Sequence, residues 1–147
     1  MFRIVDRPLD LSEALRAVSG SEVGGIASFV GVVREENQGK KVLAVEYQAY
    51  PSMAEKVMAG IGQAVARQFG PLRIAMFHRT GRLGVGEASV IIVAGAAHRR
   101  EALAAVSTAI GRLKHEVPIW KKEFYEDGSR WLEPAPGEKK PINEPGG

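Results

Sequence analysis

Apolar residues recur along this chain at helical spacing in three stretches and alternate, or run together, in the rest. Phe2–Val5 reads as a short strand. Leu11, Ala14, Leu15 and Val18 then repeat on one helical face behind Asp10, with Glu13 three residues later, the acidic cap pattern that opens a helix; Ser19-Gly20 closes it. Gly24–Arg34 predicts a buried strand whose glycines imply a bulge or a close backbone approach. Glu35–Lys40 is a polar loop with turn chemistry from Asn37 and Gly39. Lys41–Tyr50 predicts a second strand, with Val42, Ala44, Glu46 and Gln48 on one face and Leu43, Val45, Tyr47 and Ala49 on the other. Pro51-Ser52 opens a long helix to about Phe69 on the stripe Ala54, Val57, Met58, Ile61, Val65, Phe69. Leu72–Phe77 is a strand, Gly84–Glu87 a turn, and the nearly all-apolar Ala88–Ala94 a central strand. Ala97–Glu116 predicts a helix with Leu103, Val106, Ile110, Leu113 and Val117 inward. The strand Ile119–Tyr125, an Asp127-Gly128 turn and Arg130–Leu132 complete a hairpin signal. The order β-α-β-β-α-β-β-α-β-β, with both hairpins and crossovers, is an α+β pattern.

The most charged junction in this pattern is Leu113–Glu123. Pro118 has no backbone N–H and biases Val117 away from helix, so the helix from Ala97 stops there and a strand begins. This elbow brings Lys114, at a helix end, towards Lys121, on a strand. Because strand side chains alternate, Lys121 shares its face with Ile119 and Glu123 while Lys122 points elsewhere.

Composition narrows the chemistry. A chain of 147 residues, 45% hydrophobic and 25% charged, suits one domain, expected over residues 1–133. The proline-rich, charged segment 134–147 is expected to be a mobile tail. A net charge of +3 is too small to argue for nucleic acid. No apolar run of about 18 residues indicates a membrane helix, and the first residues lack a signal-peptide core, so a cytoplasmic protein is expected. The absence of cysteine excludes disulfides, thiolate nucleophiles, persulfide carriers and iron–sulfur ligation by this chain. Its histidines, His78, His98 and His115, lack the short spacing of a zinc site, so neither a metal nor a cofactor is expected.

Three basic groups remain: Arg34 at the end of a glycine-rich strand, His98 and Arg99 at a helix start, and Lys114 with Lys121 at the elbow. Each has a plain alternative. Arg34 can be a solvated surface residue, and Lys114 can simply complement its helix terminus. Cations at a helix start are locally awkward, while the free N–H groups there suit an anion. His78-Arg79 reads as an exposed turn, and Trp120 and Trp131 as core or interface residues. His98 and Lys114 stand sixteen residues apart on one helix, which is about 24 Å at ~1.5 Å per residue. One small ligand cannot touch both in the same subunit, so they serve different sites or a second copy completes one site.

Taken in order, Phe29–Arg34, Glu46–Tyr50 with Met53-Ala54, Ile74–Gly81, Gly86-Glu87, Ala97–Arg99, and Leu113-Lys114 through Glu123 resemble the large, catalytic subunit of molybdopterin synthase. The resemblance implies an α/β hammerhead-type fold with an additional antiparallel β subdomain. It implies a sulfurtransferase that converts cyclic pyranopterin monophosphate to molybdopterin, taking two sulfurs from the thiocarboxylated Gly-Gly terminus of a small ubiquitin-like subunit. It also implies a homodimer of this chain within a heterotetramer. Carried over by position, Lys114 and Lys121 are the catalytic lysines. Arg34, with the Val32 and Val33 backbone, binds substrate. His98 and Arg99 reach in from the second subunit, and Lys122 and Glu123 complete the rim. A cysteine-free chain fits sulfur delivered ready-made, and anionic ligands fit a Lys/Arg/His pocket. Two rivals stay open: a small RNA-binding module, disfavoured by balanced charge and the lack of an aromatic-rich strand, and a scaffold that only binds a ubiquitin-like tail.

Overall fold

The computed structural model describes residues 1–132, so the tail expected over 134–147 lies outside the described residues. Along the chain run β1 (Phe2–Val5), α1 (Leu11–Val18), β2 (Gly25–Val32), β3 (Glu36–Asn37), β4 (Lys40–Lys41), β5 (Ala44–Ala49), α2 (Pro51–Phe69), β6 (Leu72–Arg79), β7 (Gly81–Gly84), β8 (Ala88–Ala96), α3 (Arg99–Glu116), β9 (Ile119–Tyr125) and β10 (Gly128–Trp131).

Local chemistry sets the helix ends. The Asp10 carboxylate accepts the Ser12 N–H at 2.9 Å and opens α1. Pro51 sits in the first turn of α2, where its missing N–H costs nothing, and Gly70 ends that helix at φ 90°. Val117, extended before Pro118, caps α3.

A four-stranded sheet of order β1-β6-β8-β2 forms the centre. β1 pairs parallel with β6; the other pairs are antiparallel. Helices α2 and α3 cover one face, sealing a core that includes Met58, Ile61, Met76, Ile92 and Leu113. Helix α1 covers part of the other, over Ala75, Phe77, Ile91 and Val93. The second sheet, β10-β9-β5-β7, is wholly antiparallel and encloses a small cluster of Val33, Val42, Val45 and Leu83. A mixed sheet with helices on both faces plus an antiparallel subdomain is the α+β, hammerhead-type architecture expected from the sequence.

Several details differ from the pattern reading. β2 is not a buried strand but an edge strand, with Val32 53% and Ile26 44% exposed. Its bulge falls at Gly31/Val32, and a methyl group on Gly24 would collide with the Ala97 carbonyl oxygen, so both expected uses of glycine occur. Leu103 is 61% exposed; Val106, Leu113 and Val117 face inward as expected, and Ala102, Ala105 and Ala109 complete that face. Small alanines let this helix lie close to the sheet, a face that a search for large apolar residues passes over. Leu43 faces out because the chain turns between β4 and β5: the Val42 N–H bonds the Glu35 carbonyl and the Leu43 N–H the Phe124 carbonyl, each at 2.8 Å. The stretch after Arg79 holds a further strand, β7, before the Gly84–Glu87 turn.

Candidate active site

The bulge at Gly31/Val32 ends pairing with β8 and delivers Val33 and Arg34 to the antiparallel subdomain. The Gly84–Glu87 turn pins this crossing: Val33 N–H donates to the Glu87 carbonyl at 3.0 Å, and Gly86 N–H to the Val33 carbonyl at 2.8 Å. The Glu87 side chain braces the turn by accepting from the Gly84 N–H and from Arg79. These two hydrogen bonds, the Gly84 one first, hold its carboxyl below the ordinary value.

Beyond the crossing lies a cavity of about 50 Å³ lined by Val32, Val33, Arg34, Glu36, Asn37, Val42, Val45, Tyr47, Lys121 and Glu123. It adjoins an open depression of about 390 Å³ formed by residues Arg34 to Gln38. The inner cavity by itself accommodates only a small group.

Five of the residues singled out from the sequence, Val32, Val33, Arg34, Lys121 and Glu123, therefore meet at one place. Lys121 and Glu123 share a strand face, as alternation requires, and their side chains pair at 3.2 Å. Glu123 does not sit on the rim. It is 2% exposed and forms the floor, where it also accepts from Tyr125 Oη at 2.6 Å and Asn37 Nδ2 at 2.9 Å. Burial alone would raise its carboxyl; the Tyr125 and Asn37 hydrogen bonds and the Lys121 ammonium outweigh that and hold it below the ordinary value. Burial and the bond to Glu123 push the Tyr125 phenol up in turn.

Lys122 points to the other face, its Nζ 5.3 Å from the Phe124 ring centre and 5.4 Å from that of Trp131. Lys114 is exposed in the last turn of α3 and does not line the cavity. His98, the N-cap, and Arg99, the first residue, are exposed at the opposite end of the same 18-residue helix.

The structure adds residues that pattern reading missed. His78-Arg79 is no exposed turn: it ends β6, with His78 5% exposed and its ring edge-on to Tyr47 at 4.9 Å. Tyr47 lines the cavity and was findable, since alternation puts it on the face of Val45. Asn37 and Tyr125 carried no chemical signal beyond turn and strand propensity; only the tertiary fold brings them to Glu123.

Within one chain the cavity holds two cations, Arg34 and Lys121, against two carboxylates, Glu36 and Glu123. Such a balanced site supplies little net positive field of its own.

Fold and pocket together define an α+β protein of hammerhead type with a small polar cleft at the edge of its antiparallel subdomain. The model of the MoaE protein family matches residues 4–116. The chain is 47% identical over 135 residues to molybdopterin synthase catalytic subunit 1 of Mycobacterium tuberculosis, covering 91% of each. It is 41% identical over 131 residues to the molybdopterin synthase catalytic subunit of Halalkalibacterium halodurans, covering 89% of this chain and 84% of that one. Among solved structures, molybdopterin synthase from Staphylococcus aureus superposes with a TM-score of 0.86 at 38% identity, covering 88% and 95% of the two chains. The chain belongs to the MoaE protein family.

Proposed function

We propose that this chain is the catalytic subunit of a molybdopterin synthase. It binds cyclic pyranopterin monophosphate and transfers to it two sulfurs carried as a thiocarboxylate on the C-terminal Gly-Gly of a small ubiquitin-like subunit. The observation that carries this reading is the convergence of Val32, Val33, Arg34, Lys121 and Glu123 on one cleft in a chain without cysteine. With no thiol of its own, the chain must receive sulfur from a donor, and both ligands are anions.

In this reading the inner cavity takes the reacting end of the substrate and the outer depression its remainder. Arg34 and the Val32–Val33 backbone hold the substrate. Lys121, oriented by Glu123, and Lys114 stabilise the charge that develops, and move the proton, as sulfur attacks and the cyclic phosphate opens. Glu123 acts from beneath as the counter-charge that aims Lys121, and Lys122 has a minor role at the edge.

The balanced charge of the cleft supports completion by a second copy that lends His98 and Arg99. The free edge of β2 supports a route. It is eight residues long, carries no charge and no proline, and exposes Ile26, Phe29, Val30 and Val32. The other edges of the two four-stranded sheets, β1, β7 and β10, are four residues long and each carries an arginine. Short, charged strands resist edge-to-edge pairing, whereas β2 invites it. Its first residues lie against the start of α3: a methyl on Gly25 would sit 3.4 Å from Arg99 Cα. Its last residues enter the cleft. Antiparallel pairing of two β2 strands about a two-fold axis at Ser28 or Phe29 would carry each copy's His98–Arg99 end towards the other copy's Val32–Arg34 end. From its first residue to its last the strand spans about 23 Å at ~3.3 Å per residue, close to the separation of His98 from Lys114 along α3.

Reconstitution tests the reading. The purified chain, incubated with thiocarboxylated carrier and cyclic pyranopterin monophosphate, is expected to yield molybdopterin. Tight binding of the carrier without any product would make the chain a scaffold instead.

A further inference from the structure

The Glu123 carboxylate divides its two oxygens between different tasks. Oε1 accepts from Asn37 Nδ2 at 2.9 Å and from Tyr125 Oη at 2.6 Å. Oε2 faces Lys121 Nζ at 3.2 Å. Two neutral donors thus occupy one oxygen and hold the other towards the ammonium in the cleft.

Asn37 reaches this carboxylate from 86 residues away in sequence. It belongs to the β3–β4 hairpin, whose central residues Gln38 and Gly39 both have positive φ, 52° and 78°, the signature of a type I′ turn. The hairpin strands bury none of their own residues in a hydrophobic cluster. Its other ties are to the β9–β10 hairpin: Lys40 Nζ pairs with Asp127 at 3.4 Å and lies 5.2 Å from the Tyr125 ring centre. The Lys40–Asp127 pair is solvent-exposed and holds the hairpin weakly. The Asn37–Glu123 bond, half-buried, is the stronger of these side-chain attachments. The same hairpin lines both the inner cavity and the outer depression, so a ligand entering past Arg34 must touch it.

We propose that Asn37 and Tyr125 are positioning residues for Lys121, acting through Glu123, and that the β3–β4 hairpin is a strap whose docking on Glu123 sets where the Lys121 ammonium points. The strap couples occupancy of the outer depression to the geometry of the lysine: a ligand that presses on residues 36–38 shifts Asn37, and Glu123 and Lys121 follow. The inference rests on the proposed function only in taking Lys121 as the group that acts on substrate.

The charged and titratable groups that face Glu123 are Lys121 and Tyr125 on its own strand, Glu36 and Arg34 across the cavity, Tyr47 on β5, and Arg130 opposite it on β10. Removal of Asn37 leaves these in place and deletes one hydrogen bond that favours the ionised carboxylate, so the acid limb of turnover is expected to move towards higher pH.

The test is steady-state turnover of the reconstituted enzyme with folded Asn37→Ala, Tyr125→Phe and the double variant. Asn37→Ala is expected to lower kcat about tenfold with the pterin KM within about twofold, and to raise the pH of the acid limb of kcat. Tyr125→Phe is expected to give a smaller loss with the same direction of pH change, and the double variant to lose less than the product of the two, since both act on one oxygen. Should folded Asn37→Ala keep the parent's kcat and acid limb while Lys121→Ala is inactive, the strap has no such role and the functional reading survives. Full activity in Lys121→Ala would remove the functional reading itself.

Discussion

A carboxylate taken out of water costs several kcal/mol unless its oxygens are satisfied, and at Glu123 three donors meet that requirement. The arrangement stabilises and aims at once: the ion pair that keeps Glu123 ionised also fixes Lys121. Replacement by glutamine keeps an acceptor for Asn37 and Tyr125 but turns an amide donor towards the Lys121 ammonium. Glu123→Gln is therefore expected to cost roughly 1–3 kcal/mol of stability at neutral pH, read as a lower thermal midpoint. The pH sign follows from the depressed carboxyl. Its contribution is complete above the unfolded value near 4.5 and is lost as pH falls through the lower folded value, so the gap between parent and Glu123→Gln closes under acid. An unchanged gap down to about pH 3 would contradict this. At this scale the sequence is informative where a period governs. Two-residue alternation puts Lys121 with Glu123 and turns Lys122 away, and the structure agrees. It is silent on Asn37 and Tyr125, because no local pattern encodes a bond spanning 86 residues.

At the scale of elements, the helices and the central strand were legible because caps, proline positions and apolar stripes act locally. The Asp10 cap, Pro51 in the first turn of α2 and the stop before Pro118 all fall where chemistry puts them. Misreadings arose where one pattern has two solutions. An apolar run such as Gly25–Val32 marks either a core strand or an edge awaiting a partner, and here it is an edge. In α3, Leu103 alone is misplaced: Val106, Leu113 and Val117 are buried as the stripe predicts, and the alanines Ala102, Ala105 and Ala109 fill the rest of that face. The short, glycine-flanked segment Gly81–Gly84 carries no pattern that marks a strand, and only its pairing with β5 reveals β7. The junction of β2 with α3 has a direct test. A methyl at residue 24 would stand 2.2 Å from the Ala97 carbonyl oxygen, which is backbone and cannot swing aside. Gly24→Ala is expected to destabilise the fold by about 1–3 kcal/mol, measured as a lower urea midpoint. The parent's midpoint would mean that strand and helix start are less tightly joined than the geometry states.

Among the described residues, the candidate site groups fall at the two ends of α3 and at the end of β2, and one long apolar edge is uncovered. Pairing of two β2 strands would account for the edge, the balanced charge of the cleft and the distant His98–Arg99 pair together. Because the chain has no cysteine, a single one is a clean probe. Either Ser28→Cys or Phe29→Cys is expected to give a disulfide-linked dimer on mild oxidation, while Gly60→Cys on α2, away from that edge, stays uncrosslinked. Failure of both edge variants to crosslink, with a fully active monomer by light scattering, would exclude a site shared across β2.

Sulfur transfer is assigned to the cleft holding Lys121, and turnover of lysine variants is its sharpest check. With thiocarboxylated carrier and cyclic pyranopterin monophosphate, folded Lys121→Ala and Lys114→Ala are each expected to lose most molybdopterin formation, about a hundredfold or more, while Lys122→Ala stays within a few-fold of the parent. Normal turnover in Lys121→Ala, or Lys122→Ala as the most damaging of the three, would place the chemistry elsewhere.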